Sequence, residues 1–285
     1  MSYRERVVPA GDAELLLREW GTDGPPIVFW HALGDHTSLQ MIEAGPILAE
    51  EFGYRVVGVD APGFGGSPRV AAERYRMPAL VDLAENLLDR LDFDRPVWAG
   101  SSWGGIVGVH FAATHPERLA ALVLVDGGYQ GQTIPEGETL EQMQTHWRAQ
   151  PGFEFDSWQA VIEASRDDFE PWSPEIETYV RSAYREQNGR VVSIMGPDVF
   201  SAALHGIDWA PFPLPALSKG GVPTLLLAAG DSPKPVRRMQ RERFAEYVPH
   251  AEIRVMDGVP HLMFEARPEE TARAIGDWLK SLPYP

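Results

Sequence analysis

The sequence predicts an α/β fold: a mostly parallel sheet flanked by helices, with a helical segment inserted late in the strand order. Three observations carry this. Apolar runs of strand length alternate with stretches of helical period, a glycine-flanked serine falls at one strand-to-helix junction, and a long stretch in the second half contains no strand-like run.

Ile27–Trp30 reads as the first clear strand and Val56–Asp60 as a second, buried one. Leu80, Val81, Ala84, Leu87, Leu88 and Leu91 then recur at helical spacing and mark one face of a helix. Pro96–Gly100 starts another strand, Gly105–His115 a helical stretch, and Ala120–Asp126 a further apolar strand. Thr224–Ala229 and Glu252–Met256 resume the pattern, with a closing helix near Pro268–Leu282. Strands that alternate with helices imply parallel pairing, because each crossover back to the same sheet edge is long enough to hold a helix.

Between Gly127 and about Leu217 the pattern lapses into helical stretches rich in Trp, Glu and Arg, ending in the proline-rich exit Trp209-Ala-Pro-Phe-Pro-Leu-Pro. Residues 130–217 carry 14 acidic against 5 basic side chains, which also sets them apart. This is an insertion, and Trp147, Trp158, Trp172, Tyr179 and Tyr184 are expected to form its small helical core.

The 285 residues, 44% apolar and 23% charged, suffice for one sizeable core and a small added subdomain. With no cysteine, thiolate nucleophiles, disulfides and thiolate metal sites are excluded. A net charge of −16 opposes nucleic acid and anionic membrane surfaces and favours a neutral or cationic small-molecule substrate. No apolar run approaches the ~20 residues of a membrane helix. The opening MSYRERVV lacks an apolar stretch after its arginines, so no secretory signal is expected, the mature chain is expected to start here, and a cytoplasmic location follows. The eight histidines show no H-x-x-x-H or H-E-x-x-H spacing, so no metal site is expected.

The strongest local signal is Gly100-Ser101-Ser102-Trp103-Gly104, placed after a strand and before a helix. A serine on such a sharp turn sits in a strained conformation, and glycines two positions away on either side let neighbouring chain pass. Ser102 Oγ would stand above the strand ends, where the free N–H groups of the next helix also point. A serine hydroxyl needs a base, and Gly258-Val-Pro-His261 lies just beyond the last strand, where a loop delivers His261 to the same sheet edge. Upstream, the first strand runs into His31-Ala32-Leu33-Gly34, a turn able to present the Leu33 N–H to a carbonyl oxygen; the Trp103 N–H would be the second donor. His31 is expected to hold that loop by hydrogen bonding rather than to act as a base. Asp60-Ala-Pro-Gly63-Phe-Gly65-Gly66-Ser67 lacks the lysine of a phosphate loop and reads as a packing turn near the site.

In this order, His31-Ala-Leu-Gly34, Asp60-x-x-Gly63-x-Gly65, Gly100-x-Ser102-x-Gly104 and Gly258-x-x-His261 resemble the α/β-hydrolase superfamily over nearly the whole chain. The resemblance implies a catalytic domain of residues 1–129 and 218–285, a helical lid of residues 130–217, Ser102 as nucleophile and His261 as base. Ala32 departs from the glycine usual at that position. Two residues compete to orient His261: Asp231, out of register after Thr224–Ala229, and Asp126, at the end of the strand after the elbow. Serine at the elbow argues against the aspartate-nucleophile branches, the haloalkane dehalogenases and epoxide hydrolases.

The expected activity is hydrolysis of carboxylic esters of small to medium hydrophobic substrates through an acyl-enzyme, with no cofactor. Carbon–carbon bond hydrolysis, lactone hydrolysis, cofactor-free perhydrolysis and proline-iminopeptidase-like aminopeptidase action would use the same residues. A ligand-binding receptor or pseudo-hydrolase on this fold is the alternative of another class. A homodimer is compatible with the sequence.

Overall fold

In the computed structural model, residues 3–129, 139–207, 212–230 and 235–283 are described. The main sheet is built from β1 (Arg4–Ala10), β2 (Ala13–Trp20), β3 (Pro26–Trp30), β4 (Arg55–Val59), β5 (Val97–Ser101) and β6 (Ala121–Val125), then, beyond three short strands of the insertion, from β10 (Thr224–Ala229) and β11 (Glu252–Met256). Its order is β1-β2-β4-β3-β5-β6-β10-β11, with β1 and β2 antiparallel at one edge and parallel pairing from β4 to β11.

Side chains alternate between two cores, as the pleat requires. Val28 and Trp30 of β3, Trp98 of β5, Leu122 and Leu124 of β6 and Leu226 of β10 face one layer. That layer also receives α2 (Met77–Arg90), α3 (Trp103–Thr114), α8 (Leu214–Gly220) and α9 (Pro235–Tyr247). Ile27, Phe29, Val97, Ala99, Val123 and Leu225 face the other, beneath α1 (Ala44–Glu50) and α11 (Pro268–Ser281). Strands covered on both sides are apolar at nearly every position, hence the continuous runs of β6 and β10. Trp98 is sandwiched between Trp30 and Phe111, each at 5.6 Å between ring centroids, and this stack backs the strand that carries Ser102.

Between β6 and β10 the chain forms α4 (Leu140–Arg148), α5 (Trp158–Ser165), α6 (Pro174–Ser182) and α7 (Gly196–Ile207). It also forms a three-stranded antiparallel sheet, β7 (Glu154–Phe155), β9 (Arg190–Ser193) and β8 (Tyr184–Gln187), strands that the sequence did not lead us to expect among its helices. The turn Asn188-Gly189 explains it. Both residues have positive φ, 54° and 76°, and a two-residue loop of that kind matches the twist of a hairpin better than a helix. Nor do the insertion's aromatic residues make a closed core. Trp147 packs edge-on to Phe200, Trp158 lies under the Arg181 guanidinium, and Tyr179 and Val180 join the core of the main sheet.

Candidate active site

Ser102 joins β5 to α3 with φ 49° and ψ −107°, a backbone conformation that costs about 1–3 kcal/mol in a residue with a side chain. Its surroundings hold it there. Its N–H donates to Val125 O at 3.0 Å, and its own carbonyl accepts from the Gly105 and Ile106 N–H groups at 3.0 and 3.3 Å. The flanking glycines are steric requirements: a Cβ on Gly100 would collide with the Gly104 carbonyl, and one on Gly104 with the Trp30 carbonyl oxygen. The N–H groups of Trp103 and Gly104 precede the first intrahelical bonds of α3 and point out of the helix start.

Asp126 follows β6 directly, is fully buried and has φ 43°. Its Oδ1 accepts from the Tyr129 hydroxyl at 2.7 Å and the Ala229 N–H at 3.1 Å. Its Oδ2 accepts from His261 Nδ1 at 2.5 Å and Arg237 Nη1 at 2.7 Å. Burial pushes the carboxyl up, but the His261 hydrogen bond and charge, with help from Tyr129 and Ala229, outweigh it and hold it below the usual carboxylate range. Because the ionised carboxylate only accepts, His261 carries its proton on Nδ1. Its Nε2 lone pair then faces Ser102 Oγ at 3.1 Å. Asp126, His261 and Ser102 thus form one hydrogen-bonded series, the geometry in which an imidazole can withdraw a hydroxyl proton. Asp231, the other carboxylate considered, lies outside the described residues.

The turn after β3 is pinned from two sides. His31 Nδ1–H donates to Ala32 O at 2.7 Å, and its Nε2 accepts from the Ala61 N–H at 3.1 Å. Burial lowers the His31 pKa to about 4, so the ring is neutral and both nitrogens are occupied in holding the loop. Gln40 Oε1 takes the Ala32 N–H at 3.2 Å. Ala32 itself does not enter the left-handed region, unlike Gly34 at φ 123°, so its methyl group is accommodated. Leu33 stands between these two residues, with its side chain partly buried. The Asp60 turn packs behind: Asp60 is buried against Arg18 Nη1 at 2.9 Å, and a Cβ on Gly65 would strike its carboxylate.

Sequence reasoning passed over a second polar cluster. Glu265, four residues beyond His261 in α10 (Met263–Ala266), is buried; its Oε1 accepts from Gln40 Nε2 at 2.8 Å and from the Tyr179 hydroxyl at 3.0 Å. Burial pushes this carboxyl up to about 7 against those hydrogen bonds. Asp35, pushed up to about 6 by burial, accepts from Tyr184 at 2.9 Å and from the Ser193 hydroxyl. Thr37 and Ser182 share a 2.6 Å hydrogen bond. These contacts fasten the insertion to the turn after β3. The bonds made by Tyr179, Ser182, Tyr184 and Ser193 join residues 86 to 158 positions apart, and no local pattern marks them.

Fold and site together define a class: a doubly covered parallel sheet with a hydroxyl, an imidazole and a carboxylate on loops beyond the carboxyl ends of its strands. The sequence profile of the alpha/beta hydrolase fold matches residues 25–268, and the chain belongs to that family. It is similar to a 2-hydroxy-6-oxononadienedioate/2-hydroxy-6-oxononatrienedioate hydrolase of Paraburkholderia phymatum, 39% identical over 85 residues, 29% of this chain and 30% of that one. The chain spans only about a third of the length of the first curated relatives it matches. Among solved structures it resembles E-2-(acetamidomethylene)succinate hydrolase, with a TM-score of 0.81 and 21% identity over 98% of this chain and 100% of that one. It also resembles a thermophilic esterase of Thermogutta terrifontis, with a TM-score of 0.70 and 24% identity over 98% of both chains. At such identities the likeness speaks to the fold. Among the described residues, no helix is long and apolar enough to cross a membrane.

Proposed function

We propose that the chain is a serine hydrolase that cleaves carboxylic esters of small to medium hydrophobic substrates through an acyl-enzyme. The observation that carries this reading is the unbroken hydrogen-bonded series from Asp126 Oδ2 through His261 to Ser102 Oγ. Ser102 Oγ adds to the ester carbonyl as His261 Nε2 takes its proton. Leu33 and Trp103 N–H groups receive the oxyanion, each such donor typically worth about 3 kcal/mol in the transition state. The carbon–oxygen bond to the alcohol breaks and the alcohol leaves with the proton from His261. Water, deprotonated by His261, then adds to the acyl-enzyme; the acyl bond to Ser102 Oγ breaks, and Ser102 takes the proton back from His261 as the acid leaves. Asp126 keeps the imidazole in the required tautomer and stabilises the imidazolium. Residues 130–217 serve as the lid, a role supported by the bonds from Tyr179, Tyr184 and Ser193 to the site.

Mass-spectrometric mapping of a fluorophosphonate adduct, together with a panel of p-nitrophenyl esters, tests this. The expected result is an adduct on Ser102 and fastest turnover of medium apolar acyl chains; equal rates on acetate and charged acyl groups would contradict the substrate class. A slow adduct without ester turnover would favour the receptor or pseudo-hydrolase reading.

A second reading, hydrolysis of a carbon–carbon bond in a dicarbonyl substrate, is favoured by the likeness to the 2-hydroxy-6-oxononadienedioate hydrolase. The same residues would act. Loss of absorbance of a 2-hydroxy-6-oxo-dienoate, faster than hydrolysis of any ester in the panel, would select it.

A further inference from the structure

His36 stands two residues past Gly34, between the oxyanion turn and α6. Its Nδ1 is hydrogen-bonded to the Tyr179 hydroxyl. The phenol has one proton, and it is directed at Glu265 Oε1, 3.0 Å away. That oxygen also receives Gln40 Nε2, so it accepts two donors. The ionised carboxylate offers only lone pairs, so in that state the phenol proton goes to Oε1. The Tyr179 oxygen must then accept from His36. The ring carries its proton on Nδ1, and Nε2 holds a lone pair.

This series, Glu265 to Tyr179 to His36, parallels the order acid, donor, imidazole, with the lid supplying the middle member. Burial also depresses the His36 pKa, to about 3, so the ring is neutral. Nε2 has no hydrogen-bond partner among the described residues. A Cβ built on Gly34 would lie 3.4 Å from it, so Nε2 stands beside the residue that follows Leu33. The His36 side chain keeps 13% of its surface accessible.

We propose that His36 is a substrate-binding residue, whose Nε2 accepts a hydrogen bond from a hydroxyl or amide N–H on the acyl part of the substrate. The proposal rests on Ser102 and Leu33 acting as described above and names the substrate class more closely: an apolar acyl group bearing one hydrogen-bond donor near the scissile carbonyl. A plain hydrocarbon chain would cover the lone pair without satisfying it, and a site built around a hydrogen bond rejects the analogue that lacks it.

The test compares p-nitrophenyl butanoate with p-nitrophenyl 2-hydroxybutanoate and 3-hydroxybutanoate, each sample also being probed for the fluorophosphonate adduct. In the wild type one hydroxy ester is expected to exceed butanoate about tenfold in kcat/KM. His36→Phe should bring that ratio to within about twofold of unity, since a phenyl ring fills the space but cannot accept. Tyr179→Phe keeps the imidazole and frees its tautomer, so the ratio should also fall; it carries the comparison if His36→Phe does not fold. A merely structural His36 would lower all the esters together and leave the ratio unchanged, which overturns the proposal, as does a wild type that prefers neither hydroxy ester. An adduct on Ser102 with an unmoved ratio refutes the role of His36 alone. No adduct on wild-type Ser102 refutes the nucleophile, and the proposal with it.

Discussion

Arg237 Nη1 donates to the same oxygen of Asp126 that binds His261, at 2.7 Å against 2.5 Å for the imidazole. The carboxylate is thereby shared between a permanent cation and a ring that becomes cationic in the proposed reaction. Arg237 also donates to the Tyr129 hydroxyl at 3.2 Å, so it braces both Asp126 and the tyrosine that binds it. The arrangement holds Asp126 firmly and reduces the negative charge that the imidazolium feels.

Replacing Arg237 by Met should therefore loosen Asp126, whose Oδ2 loses a 2.7 Å charge-assisted bond while Tyr129 loses its Arg237 donor. A fall in kcat of about tenfold is expected on the fastest p-nitrophenyl ester. An unchanged kcat would mean that Arg237 only packs.

Asp126→Asn changes the sense of a hydrogen bond. An amide nitrogen at that place donates, which turns the imidazole to the tautomer with its proton on Nε2, facing Ser102. A loss of about 10⁴-fold in kcat is expected, measured with the fastest p-nitrophenyl ester. Retention of half the wild-type rate would instead point to an acid elsewhere.

Gly104→Ala tests the elbow. The new methyl group would be driven into the Trp30 carbonyl, and neither β3 nor α3 can retreat without disturbing the Trp30–Trp98 stack. The expected cost is about 2–4 kcal/mol, read from denaturant midpoints, with loss of the Ser102 adduct.

Glu265 makes the fold itself pH-dependent. A carboxyl raised from 4.5 to about 7 by burial binds its proton more tightly in the folded chain than in the unfolded one. Stability then falls as pH rises between those two values and levels off above them. Glu265→Gln removes this contribution, so its unfolding free energy, read from denaturant midpoints, should gain on the wild type from pH 5 to pH 8 by about 1–3 kcal/mol. A difference that is constant across that range would exclude a buried titrating carboxyl.

The strand and helix pattern was legible because burial on both faces forces continuous apolar runs, as in Ala121–Val125 and Thr224–Ala229. The small sheet of the insertion was not expected, although Asn188-Gly189 carried the signal for its hairpin. Tyr184, Arg185 and Glu186 offer no alternating apolar face, since one side of that strand meets solvent and the other meets only a short partner.

Local chemistry made Ser102 conspicuous: a serine forced to φ 49° needs Gly100 and Gly104 beside it, so the requirement is written within five residues. His261 could be placed by chain order, since a loop after the last strand reaches one sheet edge. The carboxylate could not be chosen that way. Asp126 and Asp231 both follow strands, and what pairs Asp126 with the ring is its position between β6 and β10, 135 residues from His261 along the chain. Arg237, Gln40, Tyr179 and Glu265 were invisible for the same reason. Backbone strain and apolar periodicity act between near neighbours in sequence, whereas a hydrogen bond needs atoms about 3 Å apart, a distance that packing sets after every element has taken its place.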